Sequence, residues 1–217
     1  FAKHLEMSNK FKGLLLNESS IVALQQQIRI HFTKSLFIDE NLRTSISKAL
    51  NGAKQLLGKG DTYLARISYY RLLYIFYQVE GKPLKSVAAC DEAIKYMQSK
   101  PHMSPPSRFA EFAIYKLENY ILVRDYDRGK EAILFCEEHI NKGMNLWFSF
   151  KEYEYLLMMQ TTRFEEADTI YKEVRAHERY NSLSVHLQER WQIFGLHIQY
   201  VMRSNSTETK ITHQSPF

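Results

Sequence analysis

Residues 70–97 read YRLLYIFYQVEGKPLKSVAACDEAIKYM, and this stretch decides the fold. Large apolar residues recur there at helical spacing, which predicts a helix over about 61–80 with one face formed by Tyr70, Leu73, Tyr74 and Tyr77. Gly81 can take a positive φ and Pro83 suits the first turn of a new helix, so a tight turn follows. The second helix presents Ser86, Cys90, Ala93, Ile94 and Met97. The stretch therefore predicts two helices joined by a short turn.

Helical periodicity extends over most of the chain. An apolar stripe marks the first helix with Ile21, Leu24, Ile28, Phe32 and Leu36. Asp39 is an N-cap candidate for the next helix. Further helices are predicted at 39–58, 108–124, 126–140, 146–160, 165–177 and 185–203. Glycine and proline, with 8 and 5 residues, are too scarce for a strand-rich chain of 217 residues. The predicted fold class is therefore all-α.

The second helices of successive pairs share a ladder of side chains, mostly small or medium in size, at offsets 0, 4 and 7. The ladder consists of Leu42–Ile46–Ala49, Ser86–Cys90–Ala93, Gly129–Ile133–Cys136 and Ala167–Tyr171–Val174. Its units begin 44, 43 and 38 residues apart. A period near 40 residues built from two helices is typical of an α-solenoid, in which each pair buries its face against its neighbours.

At these positions the chain resembles the tetratricopeptide repeat (TPR) family. The family's first-helix pattern is matched by Tyr70, Leu73 and Tyr77, and best of all by Trp191, Phe194, Gly195 and Ile198 in WQIFGLHI at 191–198. Gly81 lies at the family's inter-helix turn and Ala93 on its second helix. The chain departs from the family in its longer period. It departs also at Tyr74, Leu117 and Tyr155, which replace a small residue, and at Ser86 and Gly129, which replace an alanine.

The resemblance implies a TPR-like α-solenoid, a right-handed superhelix. We expect about five antiparallel helix pairs, the last represented by a single helix. The expected repeat domain spans 18–203. It lies between a poorly defined N-terminal segment at 1–17 and a polar C-terminal tail or linker at 204–217.

Composition excludes few classes of protein. The net charge of +5 comes from interspersed residues and favours neither nucleic acid nor an acidic partner. Cys90 and Cys136 lie within apolar helical patterns, which predicts buried reduced thiols. No signal peptide is recognisable, and no apolar run approaches the roughly 20 residues of a membrane span. We therefore expect a cytoplasmic protein without membrane contact.

Sequence motifs for catalysis or metal binding are weak. Cys136 and His139 lie one helical turn apart, but no second ligand pair has suitable spacing, so a metal site is not predicted. GAKQLLGKGD at 52–61 resembles a phosphate-binding loop, yet Gly60 stands where that loop needs Ser or Thr, and no strand precedes it. We expect no enzyme activity, no catalytic residues and no cofactor.

The TPR resemblance implies a concave groove lined by first helices. The matching partner-contact positions are Arg71, Gln78, Glu111, Glu118, Glu152, Gln160, Glu189, Gln192 and Gln199. This polar, mostly acidic lining favours a basic or neutral extended peptide, or a helix, as the ligand. The predicted function is a protein–protein interaction or scaffold module. A regulatory sensor repeat controlling an attached effector domain is the alternative, and RNA binding is less favoured. The partner's identity and the oligomeric state stay open.

The helix at 185–203 has no second helix to complete a pair. It either closes the core as a terminal cap or belongs to a longer array of repeats. A cap predicts that Trp191 is buried against the 165–177 helix, whereas an exposed Trp191 stripe would favour a truncated array.

Overall fold

The computed structural model describes the backbone of residues 2–34 and 38–212, and the side chains of 6–33 and 38–203. Within these ranges the chain is helical and has no β-strand, which confirms the all-α class. The helices are α1 (Ala2–Lys34), α2 (Glu40–Lys59), α3 (Tyr63–Val79), α4 (Pro83–Gln98), α5 (Pro106–Val123), α6 (Tyr126–His139), α7 (Asn145–Gln160), α8 (Phe164–Ala176) and α9 (Val185–Thr212). Short 3₁₀ turns at Pro101–Met103 and Glu178–Ser182 precede α5 and α9.

The chain divides into two compact units, Phe1–Val123 and Arg124–Phe217. In the first unit α1 packs on α2 and α3, α2 on α3, and α4 on both α3 and α5. In the second unit α7 packs on α6 and α8, and α8 packs on α9. Most of these contacts therefore join helices that are neighbours in the chain, and the contact of α1 with α3 is the main exception.

Helix ends follow the local sequence. Asp39 caps α2, as predicted, because its carboxylate accepts a hydrogen bond from the Leu42 amide at 2.7 Å. Gly81 has a φ of +63° and Pro83 begins α4, so both predictions for that turn are confirmed. Arg124 and Thr162 each have a φ of +59° between α5 and α6 and between α7 and α8. A residue in the left-handed region thus occurs in the α3–α4, α5–α6 and α7–α8 turns, and also in the α6–α7 turn, where Gly143 has a φ of +82°.

The ladder predicted on the second helices forms part of the core. Every member is buried except Tyr171, which is half-buried. Cys90 and Cys136 are buried free thiols, as expected, and burial raises the pKa of Cys90. The periodicity therefore identified the inward-facing residues of this ladder correctly, whereas Tyr74 alone is buried among the four residues of the face predicted for α3.

Both ends of the described chain differ from the expected boundaries. Helix α1 begins at Ala2, so the backbone of 2–17 is helical rather than poorly defined. Helix α9 continues past Arg203 as far as Thr212, where a tail or linker was expected. Residues 204–212 contain no glycine or proline that would end a helix, which explains the continuation. Leu36 and residues 213–217 lie outside the described residues.

Trp191 is fully buried. Its ring packs edge-on against Phe194 and Tyr155, with centroid distances of 5.3 and 6.1 Å. Close contact with α8 occurs at Gly195, where an added Cβ would lie 2.4 Å from the Tyr171 hydroxyl oxygen and 2.6 Å from Tyr171 Cζ. The small residue of the WQIFGLHI pattern is therefore required by the tyrosine ring that faces it.

We predict that Gly195→Ala destabilises the protein by about 1–3 kcal/mol, because the new methyl group must displace the Tyr171 ring from its packed position. Gly58→Ala is the matched control, since Gly58 is also helical and an added Cβ there meets nothing within 4 Å. The Gly58→Ala substitution should stabilise the folded protein by at most about 1 kcal/mol. Urea unfolding measures both changes. Equal responses of the two variants would contradict the Tyr171 contact.

Candidate functional site

An ion pair and a stacked aromatic pair join α3 to α5. The Arg71 guanidinium donates from Nε and Nη2 to the two carboxylate oxygens of Glu111, at 2.9 and 2.5 Å. Each of these side chains is 23% exposed. The rings of Tyr74 and Tyr115 stack nearby with centroids 4.0 Å apart. Two long, partly buried side chains and two flat rings thus fix the spacing of these helices.

The local electrostatics keep this cluster in one protonation state. Burial lowers the pKa of Arg71, but hydrogen bonding and attraction to Glu111 outweigh burial, so the net pKa is raised. The Tyr115 hydroxyl donates to Glu111 Oε1 at 2.9 Å. Burial, followed by repulsion from Glu111, raises the pKa of Tyr115. At neutral pH the arginine is therefore charged and the tyrosine neutral.

The polar contacts continue towards α4. Asn119 is fully buried, and its carbonyl oxygen accepts a hydrogen bond from Gln78 Nε2 at 2.8 Å. Its amide nitrogen donates to the Tyr115 carbonyl at 2.6 Å and to Ser86 Oγ at 3.4 Å. Ser86 replaces an alanine of the family pattern, and its hydroxyl satisfies part of this buried amide. The serine at this position thus has a local physical reason.

The second unit repeats the arrangement between α7 and α9. Arg190 Nη1 donates to Glu152 Oε2 at 2.7 Å, and the rings of Tyr155 and Phe194 stack with centroids 4.5 Å apart. The Tyr155 hydroxyl also donates to the Phe194 carbonyl at 2.9 Å. The ion-paired residues are 38 positions apart here and 40 apart in the first unit. The order of the charges is reversed, and Arg190 makes one hydrogen bond to Glu152 where Arg71 makes two to Glu111.

Glu152 is the carboxylate of this second pair, and its side chain is only 8% exposed. Its Oε1 is buried without a hydrogen-bond partner among the described residues. Burial raises the pKa of Glu152, while attraction and hydrogen bonding to Arg190 oppose the rise. The free-energy cost of removing this carboxylate from water therefore exceeds the stabilisation that its ion pair with Arg190 provides.

The nine residues predicted to line a groove fall into two groups. One group contacts other side chains of its own chain and comprises Arg71, Gln78, Glu111, Glu118 and Glu152. The other group is exposed and comprises Gln160, Glu189, Gln192 and Gln199. Arginines neutralise Glu111 and Glu152, so these two carboxylates give little net negative charge. Three of the four exposed residues lie on α9.

Helix α9 has a second apolar face that the periodicity argument missed. Ile193, Leu196 and Tyr200 are 62%, 69% and 72% exposed. Exposed Glu189 and Arg203 extend this row at the two ends. We call Glu189, Ile193, Leu196, Tyr200 and Arg203 the outer stripe; its spacing alternates between four and three residues, as along one face of a helix. The signal was present in WQIFGLHI, where apolar residues occur all round the helix.

Two depressions on the first unit have cavity volumes of about 280 and 380 Å³. The smaller lies between α1 and α2, and the larger lies beside α2 next to Glu80. Both volumes are near the low end for small-molecule sites, about 300–1,000 Å³. A hydrogen bond from Lys82 lowers the pKa of Glu80, which is the effect of a surface ion pair. Neither depression offers as specific a hypothesis as the outer stripe.

The His139 ring lies against its own helix. It stacks on Phe135 at 4.2 Å, and its Nδ1 lies 2.9 Å from the Phe135 carbonyl oxygen. Across the described residues, no group of three or more His, Cys, Asp or Glu side chains is arranged to hold a metal ion. No helix in the same residues has the length and apolar character needed to cross a membrane.

No protein-family model matches the chain, and comparisons with curated proteins and with solved structures found no significant match. The likeness to TPR proteins therefore stays a prediction from the residues quoted above.

We predict that Arg71 and Glu111 are energetically coupled. Replacing either residue by alanine should lower the free energy of unfolding by about 1.5–3 kcal/mol, because it leaves a partly buried charge without its partner. The double variant should lose less than the sum of the two, by about 0.5–3 kcal/mol. The control pair is Lys172 and Asp168, one turn apart on α8, with Lys172 73% exposed. Coupling there should be close to zero in the same urea-unfolding cycle, and equal coupling would contradict the structural role of Arg71 and Glu111.

We predict a pH signature for Glu152. Because its folded pKa is raised above the ordinary 4.5, its contribution to stability is full below 4.5 and is lost as pH rises through the folded value. The stability of the wild type relative to Glu152→Gln should therefore fall as pH increases over that interval. Urea unfolding at several pH values between 4 and 7.5 measures the difference. A relative stability that rises with pH would show that Arg190 dominates instead.

Proposed function

We propose that the chain is a TPR-like helical-repeat module that binds another protein through the outer stripe of α9. Three features support the repeat: packing between neighbouring helices, the left-handed residue in the α3–α4, α5–α6 and α7–α8 turns, and the ion pair with stacked rings found in both units. The proposal includes the solenoid arrangement of about five helix pairs implied by the TPR resemblance.

The observation that carries the function is the exposure of Ile193, Leu196 and Tyr200 in one row. Single exposed apolar residues are ordinary, but a contiguous row on a helix is typical of a surface that another protein covers. Gln192 and Gln199 lie beside the row and can hydrogen-bond at its rim. An amphipathic helix would place its own apolar side chains on this stripe.

The charges of the described surface refine the expected ligand. Glu111 and Glu152 are neutralised by arginines, so the acidic groove predicted from the sequence loses two of its carboxylates. Among the exposed groove candidates, Glu189 is the one charged side chain beside three glutamines. A partner with an apolar face is therefore favoured over a strongly basic peptide or RNA.

We predict that a photoreactive amino acid at Leu196 crosslinks the chain to a protein partner in the cells that express it. Leu134 on α6 is the matched control, because its exposed fraction of 67% is close to the 69% of Leu196. Mass spectrometry of purified adducts should show discrete species for position 196 and only background for position 134.

Two results would contradict the proposal. Position 196 could form no adduct above background, or positions 134 and 196 could give the same adducts at the same yield. The circular-dichroism spectrum of each labelled protein shows that its helices are retained.

A further inference from the structure

We propose that the outer stripe of α9 binds a second copy of the same chain, with the two α9 helices antiparallel. This inference rests on the proposed function, because it names the partner of that surface. Its basis is the distribution of charged and apolar side chains along the stripe.

The stripe is arranged symmetrically about Leu196. Ile193 and Tyr200 lie on either side of this residue, three and four positions away, and Glu189 and Arg203 lie seven positions away. A two-fold axis near Leu196 therefore brings Ile193 of one copy against Tyr200 of the other. The same operation brings Glu189 towards Arg203 of the second copy, at both ends of the contact. Such a surface is self-complementary, as an isologous dimer requires.

Charge decides the orientation of the second copy. In a parallel pair Glu189 would face Glu189 and Arg203 would face Arg203, which places like charges together at both ends. In an antiparallel pair each carboxylate meets a guanidinium, and the long arginine side chain can span a small offset in register. Complementary end charges of this kind select partner and orientation in helix pairs.

The spacing and exposure of the stripe are suited to helix pairing. Steps of four and three residues keep the row on one side of the helix over about 21 Å, at 1.5 Å per residue. Ile193, Leu196 and Tyr200 are each more than three-fifths exposed, so a second helix would remove a large part of their surface from water. The contact is short, so the dimer should dissociate on dilution.

Sedimentation velocity of the 217-residue chain over a range of concentrations tests the proposal. The wild type should shift from monomer to dimer as concentration rises. Glu189→Arg and Arg203→Glu should each weaken association by about tenfold or more, because each places like charges together at both ends. The double variant Glu189→Arg with Arg203→Glu restores both pairs with their signs exchanged, and should return association to near the wild-type level.

Leu196→Glu provides an independent test at the centre of the stripe, and Leu134→Glu on α6 is its exposed control. The first should abolish dimerisation and the second should leave it unchanged. Circular dichroism with thermal unfolding tests whether each variant is folded.

Three results would overturn the proposal. They are a wild type that stays monomeric at all concentrations, a dimer unaffected by Leu196→Glu, and a charge-exchanged double variant no better than the single variants. Crosslinking at Leu196 separates these failures from failure of the proposed function. A monomeric chain that forms heterologous adducts at Leu196 overturns self-association alone, whereas no adduct of any kind overturns both.

Discussion

The structure depends on one repeated interaction, an arginine–glutamate ion pair beside two stacked aromatic rings. It joins α3 to α5 through Arg71 and Glu111, and α7 to α9 through Glu152 and Arg190. The rings bury large apolar surfaces, and each ion pair offsets part of the hydration that its charged groups lose at the same interface; Glu152 Oε1 is left without a partner among the described residues. Ring stacking demands a particular distance in both places, and the two-point hydrogen bond of Arg71 with Glu111 adds a second such demand between α3 and α5. Together they determine how closely, and in which register, these helices lie.

This interaction changes which residues are available for binding. Polar side chains that the TPR resemblance assigns to a partner are instead engaged between helices, as with Arg71 and Gln78. The exposed polar candidates concentrate on α9, beside an apolar row. Helix α9 therefore has two roles in the proposed protein. Its Trp191 face packs in the core of the second unit, and we propose that its outer stripe binds a partner.

Much of the fold could be predicted because core positions repeat in sequence. The ladder on the second helices, the Asp39 cap and the turn at Gly81 each depend on neighbouring residues or helical periodicity, and each is confirmed. The candidate site could be predicted only in part. Periodicity shows that Glu111 lies off the apolar face of its helix. It does not show that the Glu111 carboxylate pairs with Arg71, 40 residues earlier in the chain. It likewise assigned one face to WQIFGLHI and left Ile193 and Leu196 without a role.

By itself the sequence determined the helices, their order and most of their inward faces, because helix formation and amphipathic burial are governed by residues within a few turns of one another. Tertiary structure decided which outward-facing side chains pair with each other and which stay exposed. Tyr74 and Tyr155 illustrate the difference: each departs from the small residue of the family pattern, and each becomes intelligible only beside the ring that stacks on it. Such pairings depend on the distance between helices, which is a property of the packed molecule and not of local sequence.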